Sequence, residues 1–165
     1  MQRLGELVGR PVVSQDAGAK IGEVADLLVD GQRVVAIVLA GGIVKSEHVL
    51  PFSEVRLLGQ DAVIASSATA LVSPKQWGQS GITAHRLSNT RKKQIVTTGG
   101  QALGVVGDVY VEASGKIAGY DVETRGFGGL VKRHAMLSAD GVTVGPNALV
   151  VSAEAESVFL STREE

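Results

Sequence analysis

The sequence predicts an all-β protein: two tandem, related small barrels packed on each other as an internal pseudo-dimer. Three observations carry that expectation. The phrase Ile21-Gly22-Glu23-Val24-Ala25-Asp26-Leu27-Leu28-Val29 returns as Leu103-Gly104-Val105-Val106-Gly107-Asp108-Val109-Tyr110-Val111, and self-similarity at a fixed spacing marks a repeated structural unit. Short apolar segments bounded by glycine turns fill each copy, as strands do. Finally, 21 glycines against only 4% aromatic residues favour many tight turns between short strands over long amphipathic helices.

The elements follow in chain order. EVADLLV (23–29) alternates as a strand, and Asp30-Gly31 after it is a strong hairpin signal. VVAIVLA (34–40) lacks polar alternation, which predicts a strand buried on both faces or curled within a barrel. His48-Val49-Leu50 and GQDAVIA (59–65) complete a unit of five or six short strands. In the second copy Val34, Ile37 and Leu39 fall on Ile117, Tyr120 and Val122, one residue being added in the turn 112–115. Three more residues fall in TRGFGGLVKR (124–133), after which His48 aligns with His134 and Gly59 with Gly145. Insertions between apolar runs are what surface turns of a shared fold accept. The expected boundaries are barrel one at 1–68, a linker at 69–88, barrel two at 89–153 and a tail at 154–165. The linker holds the single Trp, whose large ring should dock against a barrel, and the tail is a short helix or a last strand.

Composition removes whole classes of function. With no cysteine there is no disulfide framework, thiol nucleophile or cysteine-bound metal. Lack of cysteine is compatible with a reducing compartment, and a cytoplasmic location is expected. The N-terminus has no apolar core of signal-peptide length, and the longest apolar run falls far short of the ~20 residues a spanning helix needs. Membrane association would therefore have to pass through a partner. The formal net charge of −1 does not resemble that of a dedicated nucleic-acid binder.

Few residues suggest chemistry. Asp26 and Asp108 occupy equivalent positions, and without a second acid at metal-ligand spacing they read, with Gly22 and Gly104, as structural positions of the repeat. His48 and His134 invite a pH or metal role, but His85 is the only further imidazole, and zinc asks for three or four ligands. No catalytic residue, metal site or cofactor is assigned, because Gly-x-Ser-x-Gly and P-loop endings are both missing. The glycine-rich stretch 124–134 sets Arg125, Phe127, Leu130, Lys132 and Arg133 together. Exposed Phe and Arg are frequent anchors of protein contacts, so this loop is the candidate binding surface, with the edge 41–45 of the first barrel beside it. Arg86, Arg91, Lys92 and Lys93 are the RNA-binding alternative, weakened by the lack of an interleaved aromatic.

The ordered set Leu7/Gly9/Val12, Gly22/Val24/Asp26/Leu27/Val29, Val34–Leu39, Val49–Phe52 and Gly59/Asp61/Val63 resembles the PRC-barrel family. The second copy keeps Gly104/Val106/Asp108/Val109/Val111 and Gly145, and departs at MLS (136–138) and Asn147. The resemblance implies small barrels that serve mainly as protein-docking modules. Relatives include the cytoplasmic part of the H subunit of photosynthetic reaction centres and the C-terminal domain of a ribosome maturation factor. This chain lacks the transmembrane helix of the first and the N-terminal domain of the second. The expectation is thus a non-catalytic adaptor for a protein partner, with a homodimer left open. An RNA- or ribosome-associated factor is the alternative, and a metal-dependent hydrolase the least favoured.

Overall fold

The structure, a computed structural model, describes residues 1–41, 46–126 and 131–163. In chain order these hold β1 (Gln2–Arg3), α1 (Leu4–Leu7), β2 (Pro11–Ser14), β3 (Lys20–Asp30), β4 (Arg33–Ala40) and β5 (His48–Pro51). A 3₁₀ turn over Phe52–Glu54 leads to β6 (Val55–Leu58) and β7 (Val63–Ala65), and the connector carries a short α2 (Pro74–Gly78). The second half begins with β8 (His85–Arg86) and a 3₁₀ turn over Leu87–Thr90. It continues through β9 (Gln94–Thr97), β10 (Ala102–Val111), β11 (Ile117–Gly126), β12 (Val131–Ser138), β13 (Val142–Val144) and β14 (Ala148–Val151), and closes with α3 (Ala153–Arg163).

The strands form two sheets of seven, in the orders β5-β4-β3-β2-β7-β6 and β12-β11-β10-β9-β14-β13, each completed by one further strand. That strand comes from the opposite half: β1 pairs with β10, and β8 pairs with β3. Gln2 lies opposite Val111 and His85 opposite Val29, so the two exchanges match residue for residue. Because β8 and the turn after it are counterparts of β1 and α1, the second copy begins at His85, inside the stretch assigned to the linker from sequence. A two-residue strand and a four-residue 3₁₀ turn are too short to carry a periodic signal that reveals a new start.

The halves also meet at their hairpin turns. The Val34 amide donates to the Gly115 carbonyl (2.7 Å), and the Ile117 amide donates to the Gln32 carbonyl (2.9 Å). These bonds flank an antiparallel bridge between Arg33 and Lys116, which are themselves equivalent in the two copies. A residue bridged to its own counterpart marks a two-fold axis, so a pseudo-dyad runs through this point. Side chains around it are exchanged in size. Phe52 lies over Gly115, whereas on the other side Gln32 reaches Tyr120, Ala139 and Val142 with its amide, at 3.1–3.2 Å.

Burial follows from that arrangement. A single apolar cluster joins Leu4, Leu27, Ile37 and Leu50 of the first half to Ile95, Val109, Tyr120 and Leu149 of the second. Each copy alone is near the size at which one core is marginal, and a shared core gives both a larger apolar volume removed from water. The helix α3 contributes Phe159, which is 2% exposed, to this core. Tyr120, buried in this cluster, has its phenol pKa raised, chiefly by burial and against the hydrogen bond from Gln32. A tyrosine with a raised folded-state pKa holds its proton more tightly folded than unfolded. Its contribution is complete below the unfolded value of about 10 and is lost as pH rises through the folded value. Absorbance titration of a Tyr110→Phe variant, which leaves Tyr120 as the only tyrosine, should place its midpoint above that of free tyrosine.

Candidate interaction surface

The two repeated acids stand at equivalent points of the two sheets. In both long strands a bulge sits just before the Asp, between Val24 and Asp26 and between Val106 and Asp108. An extra residue at a bulge re-aims the next side chain. Asp26, 3% exposed, accepts from the Leu27 amide at 2.8 Å and the Ser88 amide at 3.1 Å, and also from the Ser88 hydroxyl. Asp108 accepts from the Val109 amide at 2.8 Å and the Gly5 amide at 3.3 Å, with the Arg91 guanidinium at 3.1 Å. Ser88 and Gly5 are counterparts, so each carboxylate holds the entry turn of the opposite half. Gly22 and Gly104 have φ of +158° and +150°; a Cβ on Gly104 would stand 2.6 Å from the Glu123 carbonyl oxygen.

The histidines are not a pair. Val38 lies opposite Val49, and its counterpart Asp121 lies opposite Met136, so Met136 rather than Ala135 matches Val49. The alignment of His48 with His134 is therefore corrected by one residue, and in a strand one residue changes the face. His48 faces the Ser46 carbonyl at 3.0 Å, His134 sits 2.8 Å from Asp121, and His85 lies at the seam. No group of three or more His, Asp or Glu side chains that could hold a metal occurs among the described residues.

The basic residues proposed for RNA are mostly engaged within the molecule. Arg86 pairs with Glu47 at 2.7 Å and approaches Asp26 at 3.9 Å. Arg91 pairs with Asp108, and Lys93 donates to the Gly145 carbonyl at 3.0 Å. Lys92 is exposed and holds φ at +68°, where its counterpart Gly9 holds +90°. A left-handed backbone costs a non-glycine residue about 1–2 kcal/mol. Lys92→Gly should therefore raise stability, by about 0.5–1 kcal/mol once glycine's extra unfolded-state entropy is deducted; chemical denaturation would measure it.

Of the glycine-rich loop, Phe127 and Leu130 lie outside the described residues, as do the side chain of Arg125 and residues 42–45 of the neighbouring edge. Lys132 and Arg133 are exposed on β12 but belong to alternate faces. Lys132 shares its outward row with His134 and Met136 and pairs with Glu123 at 3.3 Å. Arg133 lies on the other row, beside Ala135 and Phe159.

That outward row shows where the two copies differ most. In the first barrel the outer face is Leu28, Ala36, Val38 and Val49, and it is closed by the connector. Val72 bridges to Val49 with two backbone hydrogen bonds of 2.8 and 2.9 Å, and Trp77 and Ala84 pack on the cluster. This is why β4 is apolar on both sides, as its sequence predicts. A helix start with Pro74 at its first position and Ser73 accepting from the Gln76 amide fixes α2 over the face. The counterparts in the second barrel are Tyr110, Gly119, Asp121 and Met136. There the chain after β14 forms α3 instead, and Met136 is 40% exposed where Val49 is 3%.

A model of the PRC-barrel domain matches residues 1–71 and again 82–158. The chain belongs to the PRC-barrel family. Its two matched segments are the two halves related by the pseudo-dyad, and the unmatched residues between them include α2 and its Trp77, which close the first PRC barrel. No curated protein matches the chain. Among the described residues no helix is long and apolar enough to cross a membrane.

Sequence reasoning missed the outer face of the second PRC barrel. It depends on a comparison of covers rather than of strands: Val38→Asp121 and Val49→Met136 are visible only once the register is known. A signal was present in the lone Trp of the connector, which the second copy does not repeat.

Proposed function

We propose that this PRC-barrel protein is a non-catalytic adaptor that docks a protein partner on the outer face of its second barrel. One observation carries the reading: among the described residues two equivalent sheet faces differ in cover, the first closed by the chain's own connector and the second left open. The open face combines Tyr110 and Met136 with the Asp121–His134 and Glu123–Lys132 pairs. An aromatic and a methionine within a charged rim are the composition of a transient contact surface. The first barrel supplies the pattern for the partner, an extended segment that lies along the edge strand and sets an aromatic side chain on the sheet. The internal roles of Asp26 and Asp108 support a scaffold use of the repeated acids, and the internal pairing of Arg86, Arg91 and Lys93 weighs against an RNA surface.

Photo-crosslinking in the native cell tests this. A benzophenone side chain replacing Met136 should give discrete higher-mass adducts that disappear when Tyr110→Ala is added. The same group replacing Leu57, exposed on the first barrel, should give none. Equal yields from both positions, or none from position 136, would remove the proposal.

A further inference from the structure

The two seams created by the strand exchange are equivalent in backbone but not in filling. In one, the Gln2 side chain lies in the groove: its amide nitrogen donates to the Leu58 carbonyl at 3.0 Å. Its amide oxygen accepts from Arg10, which also donates to the Gly59 carbonyl at 2.8 Å. A primary amide is thus held between a backbone acceptor and a cationic donor. Counterparts of all these groups exist in the other seam. His85 stands for Gln2, Lys93 for Arg10, and Val144 and Gly145 for Leu58 and Gly59. Lys93 reproduces the anchoring bond, donating to the Gly145 carbonyl as Arg10 does to Gly59.

What the second seam lacks is the amide. The His85 side chain is exposed and forms no hydrogen bond with a described residue, its backbone pairing with Val29 aside. A cavity of about 700 Å³ opens there, lined by His85, Lys93, Val144 and Gly145, with the buried Tyr120 and Thr90 also on its wall. The Lys93 ammonium has three donor hydrogens and uses one on Gly145, so it can serve an incoming oxygen as well.

We infer that this seam cavity is a binding site for a primary carboxamide, with Lys93 donating to its oxygen and the Val144 carbonyl accepting from its nitrogen. The chain's own Gln2 is the template for the ligand. A carboxylate of the same shape would satisfy Lys93 but would set an oxygen against the Val144 carbonyl, so the site discriminates by the amide's donor. The amide arrives either on free glutamine or on a glutamine side chain of a peptide. This site is separate from the open face of the second barrel, and neither depends on the other.

Amide-detected NMR titration of the full chain tests the inference, with propionamide and propionate as the probe pair. Propionamide should shift the backbone signals of Lys93 and Gly145, with at least tenfold weaker response to propionate. Free glutamine and the peptide Ala-Gln-Ala then separate the two sources, and a response to either supports the site. His85→Gln supplies the missing amide from within: it should raise the melting temperature and abolish the propionamide response. The reverse change, Gln2→His, should create a second responsive site at Arg10 and Gly59. Propionate shifting the signals as strongly as propionamide, or an undiminished response in His85→Gln, would overturn the assignment.

Discussion

Replacing Asp26 with Ala is expected to lower stability by about 3–5 kcal/mol, the range for removing one partner from a buried, charge-assisted network. The carboxylate is 3% exposed and takes hydrogen bonds from the Leu27 amide, the Ser88 amide and the Ser88 hydroxyl. Alanine leaves those donors without an acceptor and also frees the entry turn of the second half from the first sheet. For a chain of this size the melting temperature should fall by roughly 10 °C, at about 2–4 °C per kcal/mol. Asp108→Ala is the internal comparison. Its side chain is 18% exposed and its bond across the dyad, to Gly5, is longer at 3.3 Å. Water can replace part of what is lost, so a smaller cost of about 1–2 kcal/mol is expected. Equal losses at the two positions would mean that burial does not set the strength of the clasp.

Gly115→Val should have an effect of similar size for a different reason. Gly115 holds φ at +88°, and a Cβ there would stand 2.7 Å from the Phe52 ring. The left-handed backbone costs a branched residue about 1–2 kcal/mol, and overpacking adds about 1–3. The total, about 2–5 kcal/mol, falls on the hydrogen bond that joins the two hairpin turns at the pseudo-dyad. Phe52→Ala separates the parts. In a double-mutant cycle measured by urea denaturation, removing the ring should recover the overpacking share and leave the backbone share. Simple additivity of the two changes would show that the ring and the turn do not meet.

Much of this fold was legible in the sequence because it rests on local signals. Strand alternation in EVADLLV, the Asp30-Gly31 turn and the doubled phrase are set by neighbouring residues, and the structure follows them. The short entry segments were illegible: Gln2–Arg3 and His85–Arg86 are two residues each, below any periodic signal, and their pairing partners lie across the dyad. The alignment of His48 with His134 failed for a related reason. Pairing register depends on which residue of β4 or β11 lies opposite, which a one-dimensional match of His to His cannot weigh. The reading of Asp26 and Asp108 as scaffold rests on their lack of companions at ligand spacing in the sequence; their acceptor roles toward Ser88 and Gly5 lie across the dyad and were not legible. Nor were the open face and the seam cavity, since each is a difference between two places that the sequence makes look alike.

The two PRC barrels form one body, clasped by exchanged strands and sharing a single core. Differential scanning calorimetry of the full chain is the decisive experiment. A single transition is predicted, with van't Hoff and calorimetric enthalpies equal for all 165 residues, and still single when Asp108→Ala lowers its midpoint. Two resolved transitions, or a calorimetric enthalpy near twice the van't Hoff value, would contradict it.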